Sequence, residues 1–169
     1  VQTGEGALNE VSNILGRLRE LAVQASNGTV SNQDKDTLDE EFTQLVGEID
    51  RISQSTQFAG ISLLEGTNSS IAFQVGVSTS SFERISVTLG SVRSSALSLD
   101  TLDISSASTL SGINQAMTTI DAAINTVNSL RGDFGAVQNR LESTIASLEN
   151  SVENLTAAES RIRDVDIAF

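Results

Sequence analysis

Chemistry in this chain can be done only by carboxylates, hydroxyls, amides, nine arginines and the single Lys35, because histidine, cysteine and tyrosine are all absent. Their absence removes the commonest general base, the soft nucleophile and the usual transition-metal ligands. It also rules out disulfides and thiolate metal sites, and leaves the redox compartment unreadable. The densest acidic group is Asp34, Asp36, Asp39, Glu40 and Glu41. A calcium loop needs regularly spaced oxygen ligands around a central glycine, and this group has neither. Its position at the start of an apolar-periodic segment points instead to favourable electrostatics at a helix N-terminus. Asp121, Asp133, Asp164 and Asp166 are isolated on polar faces with no second carboxylate to form an acid and base pair, so they are expected to be solvated.

Gly4, Gly6, Gly28, Gly47, Gly60 and Gly66 form no phosphate-cradling loop, since no Gly-Lys-Ser or strand-glycine-helix arrangement surrounds them. Asn27-Gly28-Thr29, Asn68-Ser69-Ser70 and Asn154-Leu155-Thr156 fit the N-glycosylation triplet. Such triplets arise often by chance, and no glycan is expected from them. The chemical inventory therefore predicts no catalytic residues, no cofactor and no metal, and a protein that is not an enzyme.

The elements behind these residues are read from periodicity. Ile113, Ile120, Val127, Phe134, Leu141, Leu148, Leu155 and Ile162 form one unbroken heptad row, and Leu110, Met117, Ile124, Arg131, Gln138, Ile145 and Val152 form its companion. Together they predict a coiled-coil-like seam on one long helix. Some 50 residues of helix span roughly 75 Å. The polar pair Arg131 and Gln138 interrupts the seam, and a desolvated arginine requires a partner, so Arg131 is expected to meet a carboxylate on a facing helix and set register. The alternative is that Arg131 projects into a contact between copies of the molecule. Gly132 and Gly135 would loosen the helix there and admit another backbone.

Upstream, Ala7, Leu8, Val11, Leu15, Leu18, Leu21, Ala22 and Ala25 mark an amphipathic helix that stops at Asn27-Gly28-Thr29. Leu38, Phe42, Leu45, Ile49 and Ile52 mark a second helix, joined so tightly that the two must be antiparallel. The third helix is expected to complete their seam. Between them, Ile61, Leu63 and Leu64, then Ile71, Phe73, Val75 and Val77, then Ile85, Val87 and Leu89 alternate with polar residues and predict a hairpin or small meander. Turn-forming Glu65 to Asn68 and Ser78 to Ser81 separate these runs. Leu97, Leu99 and Leu102 are expected to be loop or short-strand cover. The fold class is thus mainly α, an elongated antiparallel three-helix rod with a small β-hairpin or meander at one end. Its parts are 1–57 (two helices), 58–107 (hairpin and variable loop) and 108–169 (long returning helix), within a single domain.

A net charge of -12 and a pI near 4.2 oppose binding to nucleic acid or anionic lipid, both of which need clustered Lys or Arg. Arg17, Arg19 and Arg51 are expected to pair with side chains rather than form a basic patch. No apolar run is long enough to span a membrane, and no signal peptide is visible. The absence of proline suits long uninterrupted helices.

The runs Gln2-Thr3-Gly4-Glu5-Gly6-Ala7-Leu8, Arg17-Leu18-Arg19-Glu20-Leu21-Ala22-Val23-Gln24 and Glu48-Ile49-Asp50-Arg51-Ile52, followed by Thr56-Gln57-Phe58, closely resemble bacterial flagellin. The run Asn154-Leu155-Thr156-Ala157-Ala158-Glu159-Ser160-Arg161-Ile162-Arg163-Asp164 resembles the C-terminal region of the same family. The resemblance covers about residues 1–66 and 110–169, the middle being the part that varies among flagellins. It implies a D1 core domain without the terminal D0 helices or large outer domains. It further implies a structural subunit of the extracellular flagellar filament, exported through a type III-like apparatus, whose partners are other flagellin subunits. The fragment itself is expected to be monomeric. A hook-filament junction protein or a flagellin-like adhesin is the alternative. The family resemblance also carries over a surface recognised by a host Toll-like receptor, here Arg17, Leu21, Gln24 and Glu41, with Leu45 standing where receptor-active members often carry a basic residue. Arg beside an exposed Leu would make a plausible hot spot on that helix face.

Overall fold

The computed structural model describes residues 1–76 and 80–166, apart from the side chains of residues 81 and 164–166. Val77 and the 78–79 part of the expected turn lie outside the described residues, as do the side chains of Asp164 and Asp166.

Helix α1 (Gln2–Ser26) buries Leu8, Val11, Leu15, Leu18, Leu21, Ala22 and Ala25 at spacings of three and four, the face that an i, i+3, i+4 pattern turns inward. It ends where Asn27 leaves helical geometry and its N–H donates to the Gln24 carbonyl. Helix α2 (Asn32–Ser55) starts at Ser31, whose Oγ accepts the Asp34 N–H at 3.2 Å and donates to Asp34 Oδ2 at 2.7 Å. That reciprocal pair satisfies one orphan donor of the first turn. Helix α3 (Leu110–Asp166) is 57 residues long, about 85 Å at 1.5 Å per residue. α1 packs along both other helices and is the axis of the bundle.

Two short ribbons stand where one hairpin or meander is expected. β1 (Gln57–Phe58) pairs antiparallel with β2 (Ile61–Ser62) across Ala59 and Gly60, both at positive φ (51° and 78°), the geometry of a two-residue primed turn. β3 (Ser70–Gln74) pairs with β4 (Arg84–Thr88), placing Ile71 opposite Val87 and Phe73 opposite Ile85 on the face turned to the core. Leu63 and Leu64 fall just after β2 and are buried rather than alternating.

The stretch 89–108, which periodicity leaves least defined, closes the bundle. Val92, Leu97, Leu99 and Ile104 are buried, and Leu97 shares a groove wall with Ala122, Ala123 and Thr126 of α3. It runs antiparallel to α2, held by three aspartates on that helix. Asp50 accepts both the Ser94 N–H (2.7 Å) and the Ser94 hydroxyl (2.6 Å), Asp39 accepts the Ile104 N–H (3.1 Å), and Asp36 accepts the Ser106 N–H (2.9 Å). This corrects the reading of the acidic cluster as helix-start electrostatics. Only Asp34 lies in the first turn; Asp36 and Asp39 accept N–H groups of a turn-rich segment that forms no strand ladder. Ser94 is buried, so Asp50→Ala strands its N–H and hydroxyl and will cost about 1 to 3 kcal/mol in urea denaturation.

The heptad rows outrun the bundle. Ile113, Ile120, Val127 and Phe134 are buried, Leu141 is half-buried, and Leu148, Leu155 and Ile162 are exposed, as are Leu110, Ile145 and Val152 of the companion row. The expected seam is therefore fully closed only as far as Phe134 and Val137, and Gly4 of α1 lies under the Phe134 ring. A Cβ on Gly4 would fall 2.7 Å from Phe134 Cε1. Close backbone approach thus uses Gly4, not Gly132 or Gly135, which have open space around their Cβ positions.

Candidate functional site

The four positions expected to form a recognition face come from α1 and α2 but do not share one surface. Arg17 and Gln24 are exposed and Glu41 is half-exposed. Leu21 is 0% exposed, which corrects its expected place on that surface. On α1 the inward residues are 18, 21, 22 and 25, so Leu21 points into the core beneath Arg17 and Gln24. The exposed apolar residue on this side is Val23, which edges a shallow depression with Gly16, Arg19, Glu20 and Gln24. Nothing in the heptad pattern singles it out, because one apolar residue off the stripe looks like noise.

Arg17 is held from two sides. Its Nε and Nη2 both reach Glu41 Oε1 at 2.8 Å, and its Nη1 reaches Glu20 Oε2 at 3.2 Å. Hydrogen bonding to Glu41, then to Glu20, pushes the guanidinium pKa up, so Arg17 is a fixed cation presented in a defined geometry. Arg19 makes a second link, with Nε 2.6 Å from Asp121 Oδ1, which ties α1 to α3 and raises the Arg19 pKa. Asp121 is therefore paired rather than solvated. Arg51 pairs with Glu48 one turn earlier on α2, which raises the Arg51 pKa and lowers that of Glu48. The expectation that Arg17, Arg19 and Arg51 form side-chain pairs holds for all three.

The polar interruption of the seam behaves differently from the expectation. Arg131 is half-buried across the start of α1, beside Gln2, Glu5, Gly6 and Asn9. Its Nε is buried without an acceptor, and it forms no ion pair among the described residues. Gln138 donates to Glu142 Oε1 at 3.1 Å within α3. Neither side chain bonds across the helix pair; the close contact nearby is Phe134 on Gly4.

Asp36 and Asp39 on α2 titrate in opposite directions. Hydrogen bonds from Ser106 hold the Asp36 carboxyl below its ordinary range, whereas burial, with Asp103 and Asp36 nearby, pushes Asp39 up against the opposing Ile104 N–H. A lowered folded-state pKa gives stability above the ordinary value that is lost as pH falls through the depressed one. A raised pKa gives stability at low pH that is lost as pH rises. Asp39→Asn is thus expected to gain on the parent as pH rises toward neutral. Asp36→Asn, stable to acid at that position, will close its deficit as pH falls below the carboxylate range. Urea midpoints measured across acid pH check both. No three metal-ligating side chains converge among the described residues, and no helix among them is long and apolar enough to cross a membrane.

Comparison with known proteins places this arrangement. Residues 1–69 match the bacterial flagellin N-terminal helical region and residues 117–169 the bacterial flagellin C-terminal helical region. A flagellin of Halalkalibacterium halodurans is 44% identical over 171 residues, covering 99% of this chain and 61% of that protein. The flagellar filament 31.3 kDa core protein of Treponema maltophilum is 37% identical over 183 residues, covering 99% of this chain and 63% of its own length. The chain spans about three fifths of the length of the curated relatives it matches. The crystal structure of Bacillus cereus flagellin superposes with a TM-score of 0.74 at 35% identity, over 86% of this chain and 82% of that one. With both helical regions matched in family order around a variable middle, and the rod itself shared with a solved member, the chain belongs to the bacterial flagellin family.

Proposed function

We propose that this chain is the rod-shaped core of a subunit of the bacterial flagellar filament, a structural role in motility with no catalytic step. The observation that carries the reading is likeness over nearly the whole chain to a relative named as a filament core protein, on a rod built around α1. The subunit acts outside the cell, reached through a type III-like export apparatus, and its partners are other flagellin subunits. Immunogold labelling of flagella on the source cells, with antibody raised against residues 1–169, is expected to mark the filament along its length. Labelling confined to the hook end would overturn this reading in favour of a junction protein.

A second reading concerns the same α1 and α2 face, presented to a host Toll-like receptor. Arg17, fixed by Glu41 and Glu20 yet exposed, supports it, because a preorganised arginine loses little freedom on binding a carboxylate. An Arg17→Ala, Glu41→Ala double variant is expected to lose receptor activation with its circular dichroism unchanged. Full activation by that variant would return these residues to subunit packing.

A further inference from the structure

We propose that Asn27 is a site of spontaneous covalent modification, closing onto Gly28 and hydrolysing to aspartate and isoaspartate, with the α1–α2 turn gating the reaction. Asn27 is the only asparagine of the chain that precedes a glycine. It is exposed, outside α1, and Gly28 has nothing within 4 Å of where a Cβ would stand. The Gly28 N–H, the nucleophile in this chemistry, finds no acceptor among the described residues.

Solvent hydroxide removes the Gly28 amide proton, and the nitrogen attacks Asn27 Cγ. A new C–N bond closes a succinimide ring, the Cγ–Nδ2 bond breaks, and Nδ2 takes a proton from water and leaves as ammonia. Water then opens the ring at either carbonyl, giving aspartate or an isoaspartate whose backbone runs through the side chain. One water is consumed and one ammonia released, the hydroxide is regenerated, and no electron is transferred.

The turn sets the rate. Asn27 is extended (φ −73°, ψ 124°), which holds the Gly28 nitrogen away from Cγ, so ψ must rotate before the ring can close. Rotation breaks the Val30 N–H bond to the Asn27 carbonyl, and it disturbs the Thr29 N–H bond to Asn27 Oδ1. Both are 3.2 Å, at the long end for such bonds. Glycine at 28 lowers the steric barrier to that rotation. Competing sites lack the following glycine. Asn68 is exposed and its Nδ2 bonds to the Ser62 carbonyl and Thr67 Oγ1 are long (3.5 and 3.4 Å), but Ser69 follows it, with a side chain that hinders ring closure. Asn154 sits within α3 with its Nδ2 2.9 Å from the Asn150 carbonyl. The product carboxylate stands one helical turn beyond Gln24, at the negative end of the α1 dipole.

The test is peptide mapping by mass spectrometry, with isoaspartate detection, of the folded chain held at mildly alkaline pH. The Asn27 peptide is expected to convert ahead of every other asparagine-containing peptide. Gly28→Ala, at a position free of neighbours, is expected to slow conversion by on the order of tenfold, with helicity by circular dichroism unchanged. Low urea, which loosens the turn before global unfolding, is expected to speed it. Conversion of Asn68 while Asn27 stays an amide, or conversion of Gly28→Ala at the parent rate, would overturn the proposal.

Discussion

Phe134→Ala is expected to lower the unfolding free energy by about 3 to 5 kcal/mol, while Asn139→Ala, one turn away on the exposed face, changes it by less than about 0.5. Phe134 is 1% exposed and is among the largest fully buried side chains. Its ring rests on Gly4, where α1 approaches α3 closely enough to exclude a Cβ. The cavity left by alanine cannot be filled from α1, because Gly4 has no side chain to move into it. The same contact predicts a compensating pair. Gly4→Ala alone overpacks the ring and costs about 1 to 3 kcal/mol. Combined with Phe134→Leu, part of that cost disappears, and a double-mutant cycle reads the coupling. Additive effects within about 0.5 kcal/mol would mean that ring and helix are not in contact.

Leu21→Ala is the second large effect, expected at about 2 to 5 kcal/mol by chemical denaturation. The side chain is 0% exposed on the central helix, within a row that runs from Leu8 to Ala25. A variant that loses a binding function at this position therefore loses it through the fold. Gln24→Ala, exposed one turn further on, leaves stability unchanged and reads the surface alone. Comparing the two separates a contact from the support beneath it. Equal stability of both variants would return Leu21 to the surface.

The face that holds Arg17 was legible as a helix and as a family resemblance, but not as a surface. Residues 17, 21 and 24 are spaced to share one side of a helix, and only the width of the buried stripe decides that 21 falls within it. Arg17, Arg19 and Arg51 were readable as pairing residues. The i,i+3 partners Glu20 and Glu48 follow from helical geometry. Asp121, 102 residues from Arg19, does not. Arg131 shows the opposite case: a polar residue at a seam position suggests a buried partner, yet this one leans over the open first turns of α1 beside Glu5 without forming an ion pair to it.

The sequence by itself determined the helices, the alternating strands, the face each helix turns inward and the family, because these depend on local periodicity and on runs of residues in order. Only the tertiary structure decided how far α3 is covered, since a heptad row specifies an apolar face but not the length of its partner. It also decided that stretch 89–108 becomes a layer of the bundle. Its anchors, Ser94 on Asp50 and Ser106 on Asp36, join residues 44 and 70 positions apart. A carboxylate reads the same in sequence whether it faces water, a helix N-terminus or the unpaired N–H of a distant segment. Only the folded chain brings that N–H within 3 Å.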